Sequence, residues 1–134
     1  MSTLKFARAS VLETPDIDIR FLSRQNHGDA PFGTDLAHAI PPNPTGATYI
    51  HINDNYKWFL DRKGGYRNIT GNGNGLTDKY RFSMLNMALH EIGHCLGLHH
   101  SEAEVAIMHP LSLGVKIEQD DRNGIEELYG KISG

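Results

Sequence analysis

The chain carries a histidine-rich stretch whose spacing suits a metal site. Residues 90–100 follow the pattern H-E-x-x-H-x-x-G-x-x-H. His90 and His94 are four residues apart, so on a helix both imidazoles lie on one face and can reach the same ion. Gly97 can adopt the left-handed conformation that ends a helix, which allows the chain to return His100 to that ion. Three histidines leave the fourth position of a tetrahedral zinc open for water, as in catalytic sites.

Three other residues in this stretch have roles to assign. Glu91 follows the first ligand and is predicted to act as general base toward a zinc-activated water in peptide hydrolysis. His99 competes with His100 for the third ligand position, and the spacing favours His100. Cys95 is the single cysteine, so no internal disulfide can form. It is either a nucleophile or, the commoner case, a small buried helix residue.

Two further features of the sequence bear on metal binding: a methionine after the histidine motif, and four side chains that could bind a second metal ion. The extended histidine motif is the metzincin signature, in which a methionine turn follows downstream, and Met108 is the candidate for that turn. The alternative is an ordinary core methionine. Three imidazoles and one carboxylate from a loop and two strands could form a closed zinc site. These four residues are His27, Asp29, His38 and His51. On spacing alone they could equally be ordinary turn and strand residues that bind no metal.

Length and composition indicate a single small domain and argue against a nucleic-acid-binding or membrane-spanning protein. The 134 residues suggest one domain with a modest core. The net charge of −3 gives no basic patch for nucleic acid. No apolar run approaches the ~20 residues of a membrane span, and no secretory signal is seen at the start.

Periodicity predicts a mixture of strands and helices. Strict alternation places a strand at 16–21 with Ile17, Ile19 and Phe21 on its core face. Further strands are predicted at 36–40 and 49–53, with a weaker candidate at 4–6. Residues 53–76 are rich in Asn, Asp, Gly and Lys, and within them 71–75 are predicted to form a flexible loop. A central helix begins at Thr77 or Ser83 and ends near Gly97, and a last helix covers 118–129.

With these motifs in view, the chain resembles the catalytic domain of the matrixins, from about Ile17 to Gly130. Ser101, directly after the third histidine, matches the matrixin pattern. The resemblance implies an α+β, zincin-like fold, in which a small twisted mixed β-sheet packs on the zinc-binding helix and a C-terminal helix follows the Met-turn. It implies a single catalytic domain over 1–134, with a sheet subdomain at about 1–97 and a lower subdomain at about 98–134.

The resemblance also implies functions for individual residues. His27, Asp29, His38 and His51 match the family's structural zinc ligands. One of Asp120 and Asp121 would anchor the activated N-terminus and the other would support the Met-turn. Peptide substrate would bind along Leu36 and Ala37 and enter a pocket bordered by Pro110 and Asn86.

The implied partners are peptide or protein substrates and protein or hydroxamate-type metalloproteinase inhibitors. The implied state is a secreted, extracellular monomer.

Several departures from the family pattern qualify this expectation. Asn53 and Tyr56 stand where the family usually has acidic calcium ligands, so calcium binding is left open. The family's first strand and first long helix have no counterpart before Leu4. These departures keep an alternative function in view, namely a zinc-stabilised binding module or reduced scaffold with little turnover.

Metal analysis tests the two predicted sites together. We expect two zinc ions per chain by elemental analysis of the purified protein, because the resemblance implies a second ligand set in addition to the histidine motif. One ion per chain would contradict the upper site formed by His27, Asp29, His38 and His51, and none would contradict both sites.

Overall fold

The computed structural model describes residues 4–23, 32–42, 44, 48–68 and 80–131. Within them the chain forms two three-stranded sheets and two helices. The elements are β1 (Ile17–Leu22), β2 (Ala37–Ile40), β3 (Thr48–Asn53), β4 (Lys57–Phe59), β5 (Tyr66–Asn68), β6 (Tyr80–Ser83), α1 (Met84–Cys95) and α2 (Gln119–Tyr129). The predicted α+β class is confirmed.

The first sheet supports the central helix. Its strand order is β1-β3-β2, with β1 parallel and β2 antiparallel to β3. Ile50 and Ile52 alternate onto the inner face of β3 and are only 1% and 3% exposed. They pack with Ala37, Met87 and Cys95, so the core lies between this sheet and α1. The strands predicted at 16–21, 36–40 and 49–53 are all present within a residue or so.

The predicted burial of β1 is wrong for two of its three apolar residues. Ile17 packs against the core, but Ile19 and Phe21 are 50% and 51% exposed. The reason is the position of α1, which packs against β2 and β3 and leaves the outer part of β1 uncovered. The weaker strand candidate at 4–6 is also wrong, because this segment is irregular and pairs with no strand in the described part of the chain.

A second sheet forms from strands between 57 and 83, where the sequence predicted no strand, and the loop predicted at 71–75 lies outside the described residues. Its order is β4-β6-β5, with β4 parallel and β5 antiparallel to β6. Aromatic contacts hold it together, including an edge-on contact of Tyr56 with Phe82 at 5.3 Å between ring centroids. Strands of three or four residues are too short to show a period of two, which explains why the sequence did not reveal them.

The central helix begins at one of the two predicted residues. Ser83 is the N-cap of α1, where its Oγ accepts a hydrogen bond from the Asn86 N–H at 3.1 Å and donates one to the Lys63 carbonyl at 3.0 Å. The other candidate, Thr77, lies outside the described residues. The helix ends before Gly97, whose φ of +97° reverses the chain as predicted.

The C-terminal helix closes the lower part of the domain against the end of α1. The Tyr129 hydroxyl donates to the Leu96 carbonyl at 2.8 Å. Gly124 permits close approach, because a Cβ there would lie 2.8 Å from the Leu98 side chain. No helix in the described residues has the length and apolar character needed to cross a bilayer.

Candidate metal centre

The structure brings the three predicted ligands of the histidine motif together. His90 and His94 lie one turn apart on α1, and the reversal at Gly97 returns His100 beside them. His100 Nε2 lies 3.2 Å from both His90 Nε2 and His94 Nε2. A tetrahedral zinc with bonds of 2.0–2.1 Å holds its nitrogen ligands roughly 3.3–3.4 Å apart. The three imidazoles therefore have the spacing of a zinc ligand set.

Hydrogen bonds on the far side of two rings orient them for a metal. His90 Nδ1 lies 2.7 Å from the Ile107 carbonyl oxygen, and His94 Nδ1 lies 2.8 Å from the Leu98 carbonyl oxygen. A carbonyl oxygen only accepts, so each Nδ1 carries the hydrogen and each Nε2 presents its lone pair to the centre. Burial is the main cause that lowers the pKa of both rings, which favours the neutral form that metals bind.

The competing ligand is placed elsewhere. His99 is exposed. In the described part of the chain, the cluster able to hold a metal consists of His90, His94 and His100. This geometry agrees with the spacing argument for His100 as the third ligand.

The methionine turn lies directly beneath the histidines. Met108 is buried, and its Sδ would be only 2.3 Å from a Cβ placed on Gly93. A larger residue at 93 would therefore push the turn away from α1. Sequence reasoning missed this function of Gly93, although a glycine in the middle of a helix is unfavourable and so signals a packing need.

Asp121 is the aspartate that supports this turn. Its carboxylate accepts hydrogen bonds from the Ile107 N–H and the Met108 N–H, both at 3.0 Å, and from the Glu118 N–H at 2.9 Å. The side chain is buried, whereas Asp120 is exposed and accepts a hydrogen bond from the Ser101 hydroxyl. The resemblance left open which of the pair supports the Met-turn, and these contacts assign that position to Asp121.

Glu91 lies on α1 next to the first histidine and is 9% exposed. Burial, and secondarily the negative charge of Asp35, raises its pKa from 4.5 to about 7. A carboxyl group with this pKa can both take up and release a proton near neutral pH. Cys95, by contrast, is buried in the core, and desolvation raises the pKa of its thiol, so it packs as a small apolar residue.

The predicted upper site is described only in part. His38 and His51 are cross-strand neighbours in β2 and β3, with ring centroids 5.4 Å apart. Phe32 lies 4.8 Å from the His38 ring. The other two predicted ligands, His27 and Asp29, lie outside the described residues.

Asn53 and Tyr56, the two positions at which the resemblance would lead one to expect calcium ligands, form hydrogen bonds to the turn at 32–36. The Asn53 side-chain amide donates to the Asp35 carbonyl at 3.0 Å, and the Tyr56 hydroxyl donates to the Thr34 carbonyl at 2.9 Å. Asn53 Oδ1 accepts from the Asn55 backbone and side-chain N–H groups. These neutral contacts link the two segments directly.

The predicted substrate-binding residues lie at the edge strand β2, on α1 and after the methionine turn, and the Ala37 side chain is buried in the core. Ala37 lies in β2, which is an edge strand of the first sheet, and Leu36 precedes it. The Asn86 side-chain amide donates to the Gly114 carbonyl at 2.6 Å, which fixes the segment after the Met-turn to the start of α1. Pro110 is exposed in the turn directly after Met108.

Comparison with known proteins gives a consistent picture. The family model described as matrixin matches residues 1–130. The chain is 33% identical to karilysin from Tannerella forsythia, over 96% of this chain and 25% of that protein. It is 38% identical to stromelysin-1 from Equus caballus, over 86% of this chain and 22% of that protein. It is also 38% identical to metalloendoproteinase 5-MMP from Arabidopsis thaliana, over 97% of this chain and 36% of that protein.

The chain thus spans between about a fifth and about a third of the length of these relatives. The matches confirm the family predicted from the histidine motif, the Met-turn and Ser101.

Replacement of Asp121 by Asn should loosen the Met-turn. The amide nitrogen of the new side chain would face backbone N–H groups that now donate to a carboxylate, and we expect a loss of about 2–3 kcal/mol in the free energy of unfolding. Asp120→Asn is the matched control and should cost less than about 1 kcal/mol, because its side chain is exposed. Urea unfolding measures both, and equal losses would contradict the assignment of Asp121 to the Met-turn.

The buried carboxyl of Glu91 should make the metal-free protein sensitive to pH. The folded state holds this proton up to about pH 7 and the unfolded state only to about 4.5, so stability falls as pH rises between the two values. Glu91→Gln removes this loss and should stabilise the metal-free chain by up to about 3 kcal/mol at pH 8, with no gain near pH 4.5. Thermal unfolding after chelator treatment measures the difference, and a gain that is independent of pH would contradict this account.

Proposed function

Since the chain belongs to the matrixin family, we propose that it is the catalytic domain of a zinc-dependent endopeptidase that hydrolyses internal peptide bonds. The observation that carries the proposal is the convergence of three histidine Nε2 atoms beside a buried carboxyl group of raised pKa. The domain is proposed to cover 1–134, with the active-site cleft between a sheet subdomain at about 1–97 and a lower subdomain at about 98–134.

The first proposed role is that of the metal ligands. His90, His94 and His100 would hold zinc through neutral imidazoles, with His90 and His94 fixed by the Ile107 and Leu98 carbonyls. A zinc ion bound there supplies a Lewis acid and lowers the pKa of a water molecule toward 7. Three protein ligands leave a coordination position for that water.

Glu91 is proposed to move the proton. Its carboxylate takes a proton from the attacking water and then delivers it to the amine of the departing peptide fragment. In the metal-free chain burial raises the pKa of Glu91 to about 7, and a cation bound beside it would favour the charged carboxylate that acts as the base. Its burial restricts competing exchange of that proton with bulk solvent.

The substrate is proposed to bind as an extra strand. In the described part of the chain β2 has a neighbour on one side only, and its other edge, near Leu36 and Ala37, would offer backbone hydrogen bonds to an extended peptide. The side chain that follows the cleaved bond would enter a pocket between α1 and the segment 110–114. Asn86 borders this pocket and Pro110 lies at its entrance, while the hydrogen bond from Asn86 to the Gly114 carbonyl keeps the pocket wall against the helix.

A second, structural zinc is proposed for the upper part of the domain. The cross-strand placement of His38 and His51 is the feature that supports it, because side chains directly opposite on two strands can share one ion. His27 and Asp29 would supply the remaining ligands. We propose no calcium at Asn53 and Tyr56, whose side chains already bond to protein groups.

The proposed partners and location rest on the family. Protein and peptide chains are the expected substrates, and compounds that offer a metal-binding hydroxamate, as well as protein inhibitors, are the expected inhibitors. The proposed place of action is extracellular.

Glu91→Gln tests the mechanism. Gln keeps the size of the side chain but cannot accept the proton, so we expect kcat/KM on a quenched fluorogenic peptide to fall by about 10²–10⁴-fold. Zinc content should stay at the wild-type value, because Glu91 is not a ligand.

The matched control is Glu104→Gln, an exposed glutamate between the third histidine and Met108, which should retain full activity. Turnover of Glu91→Gln at the wild-type rate would exclude the general-base assignment. A wild-type chain that holds zinc but cleaves no peptide, with or without chelator, would favour the scaffold alternative.

A further inference from the structure

The second sheet carries a row of three cations on one face. Lys57 in β4 and Arg67 in β5 are both directly opposite Arg81 in the central strand β6. Side chains directly opposite on neighbouring strands point to the same face of a sheet, so the three cations lie in a line across it. All three side chains are exposed. These three residues are called the basic row.

The other face of this sheet is aromatic and is turned toward the domain. Trp58, Phe82 and Tyr66 are opposite one another in the adjacent register. The Trp58 side chain packs against the core, and its ring centroid lies 6.3 Å from that of Phe82. Because successive residues of a strand point to opposite faces, the basic row points away from this aromatic layer.

The positive charge of the row is only partly balanced within the sheet. Arg67 forms an ion pair with Asp61, and its guanidinium lies 4.1 Å from the centroid of the Phe59 ring. Lys57 and Arg81 have no ion-pair partner among the described residues. Like charges directly opposite on neighbouring strands repel each other and destabilise the sheet. An anion bound across the row would relieve this repulsion.

The rest of the chain has the opposite charge. Residues 57–81 contain six lysine and arginine residues and two aspartates, whereas the remaining residues contain seven lysine and arginine residues and fourteen acidic ones. The net charge of −3 therefore conceals a local basic surface. Because charges are screened over about 8 Å at physiological ionic strength, a ligand on the sheet responds mainly to the basic row and little to the distant acidic groups.

The second sheet is fixed beside the proposed substrate pocket. The loop between β4 and β5 touches the wall of that pocket, since a Cβ added to Gly64 would collide with the Leu113 carbonyl oxygen. Ser83, at the start of α1, holds the same loop through a hydrogen bond to the Lys63 carbonyl at 3.0 Å. Arg81 precedes Ser83 by two residues, so the basic row lies about 7 Å along the strand from this junction.

We propose that the basic row binds acidic side chains of the protein substrate on the C-terminal side of the cleaved bond. The proposal rests on the proposed function, because it takes the side chain after the cleaved bond to enter the pocket that the sheet adjoins. The substrate residues that follow are then the ones nearest the sheet. Aspartate or glutamate at those positions would pair with the arginine and lysine side chains of the row.

A substrate polypeptide fits the row better than a separate polyanion does. The cleft already holds the substrate, so its acidic side chains reach the row at a high effective concentration. Strands lie about 4.8 Å apart, and the row is therefore about 10 Å long. That length suits two or three carboxylates and is short for the phosphate backbone of a nucleic acid.

Three quenched fluorogenic peptides with the same cleaved sequence test the proposal. The first carries a run of glutamates after the cleaved bond, the second a run of glutamines there, and the third a run of glutamates before the bond. At low salt we expect KM of the first peptide to be about three- to tenfold below that of the second, with similar kcat. The difference should vanish at high salt, and the third peptide should show no gain.

Substitutions in the row test which residues carry the effect. Lys57→Gln and Arg81→Gln should each bring the kcat/KM ratio of the first peptide to the second toward one. Arg122→Gln is the matched control, because it removes the same charge from an exposed position on α2 and should retain the wild-type ratio. Circular dichroism checks that each variant is folded.

Four outcomes would overturn the proposal. They are equal KM values for the glutamate and glutamine peptides at low salt, an equal gain from glutamates before the bond, an equal loss in Arg122→Gln, and tighter binding of a DNA oligonucleotide than of the first peptide to the Glu91→Gln variant. The last result would assign the row to nucleic acid.

Failure of the proposed function would look different, because then even the glutamine peptide would not be cleaved. In that case fluorescence anisotropy with labelled glutamate and glutamine peptides tests the row directly on the wild-type chain. A preference for the glutamate peptide that Arg81→Gln abolishes and Arg122→Gln keeps would support binding of acidic chains. No preference would overturn it.

Discussion

The close contact between Gly93 and Met108 is the constraint on which the rest of the site depends. Helix α1 supplies two histidines, but the third returns only if the segment after Gly97 stays against the helix. A missing side chain at residue 93 allows the methionine sulfur to approach the helix backbone, and the Asp121 carboxylate holds the methionine turn there through two backbone N–H groups. This turn also supplies the Ile107 carbonyl that orients His90.

The same packing explains the electrostatics of the centre. Burial lowers the pKa of His90 and His94 and raises that of Glu91. All three shifts favour the neutral form of the group, and burial is the largest cause of each. A metal ion reverses this preference for the carboxyl, since a nearby cation stabilises its charged form. If zinc binds as proposed, metal binding and the ionisation of Glu91 are therefore coupled.

The sequence predicted those parts of the structure that depend on residues close together in the chain, and missed those that depend on contacts between distant residues. The ligands His90, His94 and His100 follow from the local helical period and one glycine. The contacts of Gly93 and Asp121 are between residues 13–15 positions apart, and no local pattern reveals them. The second sheet was missed because its strands are too short to alternate visibly. For β1, alternation identified the apolar face correctly but could not show whether another element covers it.

The two edges of the first sheet differ in a way that alternation alone does not reveal. Both β1 and β2 have a neighbour on one side, so in the part of the chain that the structure describes each leaves backbone groups unpaired on the other. In β2 the four residues include His38, which faces its cross-strand partner His51, and little of the sequence is self-complementary. In β1 the order Ile-Asp-Ile-Arg-Phe has opposite charges at equal distances from its centre. The two edges therefore differ in charge pattern as well as in exposure, and the period-two alternation of the sequence reports neither difference.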